Sequence, residues 1–209
     1  ERTYPIYPVG IQDFAYIREA GMTYVDKTAL IHKMATEGAM YFLSRPRRFG
    51  KSLLVSTLKY YFQGRRDLFE GLAVDTLEKE WKRHAVIHLD MSRGKYFDVQ
   101  NLHDVLNTLM EIYEDEYGLD HATSSYGDRL SRILRQARQV TKERVVVLVD
   151  EYDAPMLDSL DDGQRMAQVR SLMRDFYSPL KAMAAELRFL LLTGITKFSQ
   201  LSIFSELNN

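Results

Sequence analysis

The apolar run Val145-Val146-Val147-Leu148-Val149, followed at once by Asp150-Glu151, constrains this chain more than any other stretch. Apolar residues without alternation, most of them β-branched, read as a central parallel strand buried on both faces, which requires helices on either side of the sheet. Open sheets of that kind place their ligands at the carboxyl ends of the strands. Asp150 and Glu151 therefore stand where a ligand is expected. The plainer reading is a pair of acids closing a strand before a loop that is acidic anyway, at Asp153, Asp158, Asp161 and Asp162.

The rest of the chain supplies the other parts of an α/β fold. Met40–Leu43, His84–Asp90 and Leu187–Leu192 are of strand type. Helical spacing appears at Leu53, Leu54, Leu58 and Tyr61, over 99–117, over 126–140 and over 162–185, where Pro179 is expected to kink or break the helix. Upstream, Asp13–Ala20 suits a short helix, and Leu30, Ile31 and Met34 suit another, with Asp26 as its N-cap and Gly38 as its stop. Strands alternate with helices, so the sheet is parallel with crossovers. Periodicity does not give the strand order.

Between the strand at Met40–Leu43 and the next helix lies Ser44-Arg45-Pro46-Arg47-Arg48-Phe49-Gly50-Lys51-Ser52. Strand, loop, Gly-Lys-Ser and helix form the context of a phosphate-binding loop, although Arg45 stands where that pattern has its first Gly. The chemistry has a physical basis. N–H groups at a helix start carry partial positive charge, and Gly50 lets backbone approach an anion without a Cβ in the way. Lys51 is typed to reach β- and γ-phosphates, and the Ser52 hydroxyl to sit on Mg²⁺. At the other strand ends, Asp150 is typed for the Mg²⁺ shell, Glu151 as general base for an attacking water, and Thr193 as a γ-phosphate contact.

Other polar residues have plainer readings. His84 and His88 lack a carboxylate at metal-ligand spacing and are read as structural. Asp90 is read as a turn former rather than a site residue. Tyr24 either packs the sheet edge, the preferred reading, or stacks on an adenine. Arg129, Arg132, Arg135 and Arg138 recur every three residues and are read as a solvated helix face rather than a grip on phosphate or a partner.

Composition closes off several classes. With 209 residues, a core of ordinary size is affordable in one domain. A net charge of −1 gives no bias towards nucleic acid or anionic membrane, and the absence of Cys excludes disulfides and thiolate metal sites. No apolar run is long enough for a membrane span. A cytoplasmic protein is expected. Because the chain begins at Glu1, it is expected to be a segment of a longer protein: one domain over 1–209, with 1–38 as an N-terminal flanking segment and the C-terminal end truncated.

Arg45-Pro46-Arg47-Arg48-Phe49-Gly50-Lys51-Ser52 resembles the variant Walker A motif of the bacterial AAA-ATPase-like family. Tyr24-Val25-Asp26-Lys27-Thr28, Val149-Asp150-Glu151-Tyr152-Asp153 and Thr193-Gly194-Ile195-Thr196-Lys197-Phe198 resemble its flanking motif, Walker B and post-sensor segment, and 201–209 resembles its tail. The resemblance covers nearly the whole chain and turns the missing Gly into a shared feature. It implies a three-layer P-loop NTPase core with strand order 5-1-4-3-2, of which the fifth strand and a helical lid are expected to be missing here. It also implies ATP and Mg²⁺ as ligands, held by Arg45, Pro46, Arg47, Arg48, Phe49, Gly50, Lys51, Ser52 and Leu53. A PD-(D/E)xK nuclease-like domain often follows in such proteins.

The reading is Mg²⁺-dependent ATP hydrolysis that drives or gates an attached domain. Its first rival is a nucleotide-binding switch with little hydrolysis, and its second a nucleic-acid binder resting on the loop arginines alone. Arg45, Arg47 and Arg48 admit several roles: the charge of an arginine finger, rejection of a wrong ligand, a neighbouring subunit in a self-associated form, or, for Arg47 and Arg48, plain solvent-facing charge.

Overall fold

The structure, a computed structural model, describes residues 13–44 and 51–195. Four strands form one sheet: β1 (Met40–Ser44), β2 (Val86–Asp90), β3 (Val145–Asp150) and β4 (Leu187–Gly194). All neighbours pair in parallel in the order β1-β4-β3-β2, which is the 1-4-3-2 portion of the expected order; a fifth strand is not among the described residues. β3 is central, and each of its six residues is buried.

The pleat divides the core in two. Val146 and Leu148 of β3, Val86 of β2, and Phe189 and Leu191 of β4 face α1 (Phe14–Glu19), α2 (Thr28–Glu37), α3 (Lys51–Phe62) and α4 (Ala73–Leu77). Val145, Val147 and Val149, with Ile87, Leu89, Leu190 and Leu192, face α5 (Val99–Glu116), α6 (Tyr126–Thr141) and α8 (Gly163–Ala182), with the one-turn α7 (Ala154–Leu157) beside them. The result is a three-layer α/β/α fold. Each fully buried Val or Leu contributes about 1.5–3 kcal/mol, so the unbroken apolar run of β3 is what holds both layers to one sheet.

Several ends are set by local chemistry. The Asp98 carboxylate caps α5 by accepting from the Asn101 N–H, while Asn101 answers with its side chain, a reciprocal capping box. Ser125 caps α6 in the same sense. The outer edge of β2 is covered by Tyr113, whose hydroxyl accepts from the His88 N–H at 2.7 Å and donates to the His88 carbonyl at 2.9 Å. Burial pushes that hydroxyl up to about 12, so it remains a donor at neutral pH.

Three expectations are corrected. Pro179 does not end its helix, since α8 runs through it to Ala182. The carbonyl deprived of a partner by proline, that of Asp175, instead accepts from the Ser178 hydroxyl at 2.7 Å. Asp26 is not the N-cap of α2, a position held by Lys27. Its carboxylate accepts from the Thr28 N–H and hydroxyl and from the Ala73 N–H, tying α2 to the start of α4. Arg129 is not solvated. It is buried with Glu114, donating through Nε and Nη2 to the carboxylate and through Nη1 to Asn107 at 2.8 Å. Arg132 and Arg138 on the same stripe pair at the surface with Asp120 and Glu186.

Burial alone would raise the Glu114 pKa, but Arg129 and the Ala122 N–H more than offset it and hold the carboxyl below the ordinary value. Its stabilising contribution is therefore present above the unfolded pKa and lost as pH falls through the lowered folded one. Truncating one partner leaves the other charged and buried. Arg129→Ala is expected to lower unfolding free energy by about 3–5 kcal/mol in urea titrations at pH 7, with the deficit shrinking in acid. A deficit below about 1 kcal/mol, the range of an exposed pair, would contradict this account.

Candidate functional site

The carboxyl edge of the sheet collects the polar strand ends. α3 begins at this edge, because it follows β1 in a parallel sheet. Residues two apart on a strand share a face, so Asp90, Asp150 and Thr193 lie on the α3 face, continuing Val86, Leu148 and Leu191. Asp90 is the register partner of Asp150. Thr193 bridges from the next strand, its hydroxyl donating to Asp150 Oδ1 at 2.6 Å. Asp150 is 7% exposed and Thr193 fully buried, so this bond lies at the floor of the site.

The turn after β3 is built around Glu151. Its φ of +51° is left-handed, a conformation that costs a non-glycine residue on the order of 1–3 kcal/mol and persists where surrounding structure over-determines it. The determinants are visible. The Glu151 N–H donates to the Thr193 hydroxyl at 3.0 Å, and the Tyr152 N–H donates to the Thr193 carbonyl at 3.0 Å. Tyr152 is buried edge-on against Phe42 of β1. Asp153, 1% exposed, accepts the Ile195 N–H at 3.1 Å. Gly194 is required by closeness, since a Cβ there would lie 2.9 Å from the Tyr152 ring and 3.0 Å from each Asp153 carboxylate oxygen.

Of the residues singled out from sequence, Arg45, Pro46, Arg47, Arg48, Phe49 and Gly50 lie outside the described residues, as do Thr196-Lys197-Phe198 and 201–209. The backbone of Lys51 opens α3. Ser52 and Leu53 are half-buried in its first turn, which carries no acidic residue to compensate the positive helix end. Asp150, Glu151 and Thr193 come together at the same edge. The Thr193 hydroxyl donates its one proton to Asp150 and accepts from the Glu151 N–H. Asp153 was not singled out for a role. Its burial at a helix-start position is invisible in a sequence where acids are common.

The remaining polar residues behave as structural parts. Asp90 Oδ1 accepts from the Ser92 N–H and hydroxyl, capping the 3₁₀ turn Met91–Arg93 as a turn former. His84 donates from Nδ1 to the Arg144 carbonyl at 2.7 Å. Burial lowers the His88 pKa, against the pull of Asp90 and Asp150, which favours the neutral imidazole. Tyr24 packs edge-on to Phe14 in the α1–α4 layer. Among the described residues no group of three or more His, Asp or Glu could hold a metal. One carboxylate and one hydroxyl, Asp150 and Ser52, suit Mg²⁺, which is commonly held by one or two protein oxygens with waters and substrate phosphates filling the rest.

A parallel sheet between two helical layers, with a helix starting beyond the carboxyl end of its first strand and an acidic turn after a central one, is a P-loop NTPase-like core. A family model described as "Predicted AAA-ATPase" matches residues 8–204, and the chain belongs to that family. It is 42% identical over 203 residues to an "Uncharacterized protein in vnfD 5'region" of Azotobacter chroococcum mcd 1, a match that covers 97% of this chain and 39% of that protein. The chain thus spans about two-fifths of that relative's length. No solved structure matches it. Among the described residues no helix is long and apolar enough to cross a membrane.

Strain at Glu151 has a measurable consequence. Asn adopts left-handed backbone more readily than Glu, so Glu151→Asn is expected to leave stability unchanged or raise it by up to about 1 kcal/mol. Gly194→Ala is expected to lower it by about 1–3 kcal/mol through overpacking. Thermal or urea unfolding measures both, and the opposite order of stabilities would contradict the geometry.

Proposed function

We propose that this chain is an ATPase that binds ATP with Mg²⁺ at the carboxyl edge of the sheet and hydrolyses it. The observation that carries the proposal is Glu151, held at a cost in a left-handed turn beside Asp150, at the edge where α3 starts. Left-handed backbone at a non-glycine residue also occurs at Trp81 and Lys142, but of the three only Glu151 follows the carboxyl end of a strand.

The roles follow from the chemistry. Arg45, Pro46, Arg47, Arg48, Phe49 and Gly50 form the loop around the phosphates, completed by the first-turn backbone at Lys51, Ser52 and Leu53. Lys51 neutralises charge at the β- and γ-phosphates, and Ser52 and Asp150 hold Mg²⁺. When bound, the ion neutralises charge developing on the phosphate oxygens. Glu151 orients the attacking water and takes its proton. Thr193 acts through Asp150 and Glu151, keeping one carboxylate fixed and the other aimed. A protein of which this chain spans two-fifths has room for an attached domain to be driven or gated. A nuclease-like identity for that domain and self-association through the loop arginines belong to this proposal, as does a cytoplasmic location.

Equilibrium binding of ATP and phosphate release distinguish hydrolysis from a switch. Lys51→Ala is expected to weaken ATP binding at least tenfold. Glu151→Gln is expected to bind ATP within a few-fold of wild type while release falls by about 10²-fold or more, and chelation of Mg²⁺ is expected to stop release. Tight binding without release, indifferent to Glu151→Gln, would overturn hydrolysis in favour of a switch.

A further inference from the structure

Asp153 occupies the N-cap position of α7, where an Asp side chain ordinarily accepts an N–H from its own helix. Here it makes no such cap bond. The carboxylate instead crosses to the next strand and accepts the Ile195 N–H, immediately beyond the end of β4.

The contact falls in line with two others. Thr193 receives the Glu151 N–H on its hydroxyl and the Tyr152 N–H on its carbonyl, and Ile195 donates to Asp153. Turn residues 151, 152 and 153 are thus each joined to residues 193–195, as if β4 went on pairing past the end of β3. Gly194 lies between these ties with no room for a side chain. Removing the outermost tie frees the end of β4 to part from the turn. Glu151, at +51°, has no intrinsic preference that would hold it once the ties loosen.

We infer that Asp153, together with Thr193, is a positioning residue that keeps Glu151 in its left-handed conformation, so that hydrolysis, but not nucleotide binding, depends on the end of β4. Asp153 touches neither water nor phosphate in this account. It acts at a distance of two residues by fixing the turn. The kinetic half of the inference rests on the ATPase reading above, whereas the mechanical half does not.

The two halves are tested together in the full chain. Amide hydrogen exchange at Glu151 and Tyr152 is measured for wild type, Asp153→Ala, Asp153→Asn, Thr193→Val and Thr193→Ser, alongside kcat and KM for Mg–ATP and a melting curve for each. Asp153→Ala and Thr193→Val are expected to speed exchange at both amides by about tenfold, the loss of one hydrogen bond of ordinary strength. Both are expected to lower kcat by about 10²-fold, as misplacement of a reacting group by about 1 Å does, and Asp153→Ala, which leaves the Thr193–Asp150 bond in place, is expected to keep KM within about threefold. Asp153→Asn keeps an acceptor and Thr193→Ser keeps the hydroxyl, so both are expected near wild type. Unchanged exchange in Asp153→Ala, or an Asp153→Asn as impaired as Asp153→Ala, would overturn the inference. So would kcat and KM failing together in folded Asp153→Ala. If wild type releases no phosphate, the ATPase reading fails, and the exchange rates still decide whether Asp153 holds the turn. Should Asp153→Ala not fold, Thr193→Val read against Thr193→Ser carries the same decision.

Discussion

The hydrogen bond from the Thr193 hydroxyl to Asp150 joins the two central strands at the carboxyl edge of the sheet. It is buried and short at 2.6 Å. Its donor is also the acceptor for the Glu151 N–H, so one hydroxyl holds the Asp150 carboxylate and the Glu151 backbone. The rest of the fold makes this contact possible. The apolar run of β3 fixes its burial, parallel pairing sets β4 alongside it, and residues of like parity turn the polar ends to the face on which α3 begins.

The two layers contribute unequally to that edge. The α1–α4 layer carries the first turn of α3, which holds no acidic residue. The α5–α8 layer supplies mainly support. The buried Arg129–Glu114 pair locks α6 to α5, and α8 passes through Pro179 because Ser178 satisfies the carbonyl that proline leaves behind. Arg165 of α8 adds a strap over the edge, donating to the carbonyls of Phe97 and Asp158 and to Asp161, and so joining the segments that follow β2 and β3. A rigid surround of this kind is what a strained turn needs in order to persist.

The sheet was legible in the sequence because a doubly buried strand leaves no polar alternation, and β3 has none. The ligand-bearing edge was legible too, since Asp150, Glu151 and Thr193 each end an apolar run. What escaped were relations between distant residues. Arg129 looks like its neighbours Arg132 and Arg135 until α5 brings Glu114 beneath it. Pro179 reads as a helix breaker because Ser178 rescuing a carbonyl is a matter of rotamer rather than spacing. Asp26 was placed one position off because its acceptor role spans two helices. Asp153 looked like one more acid in an acidic loop, and only β4 reveals where its carboxylate goes.

The central claim is that a nucleotide sits over the start of α3 and the turn after β3. Hydrogen-exchange mapping of the chain with and without Mg²⁺ and a non-hydrolysable ATP analogue tests this most directly. The account predicts new protection concentrated in the first turn of α3, residues 51–54, and in the turn at 150–153, with little change at the opposite edge around Trp81 and His84. Protection absent from both segments at saturating analogue, or confined to the opposite edge, would contradict it.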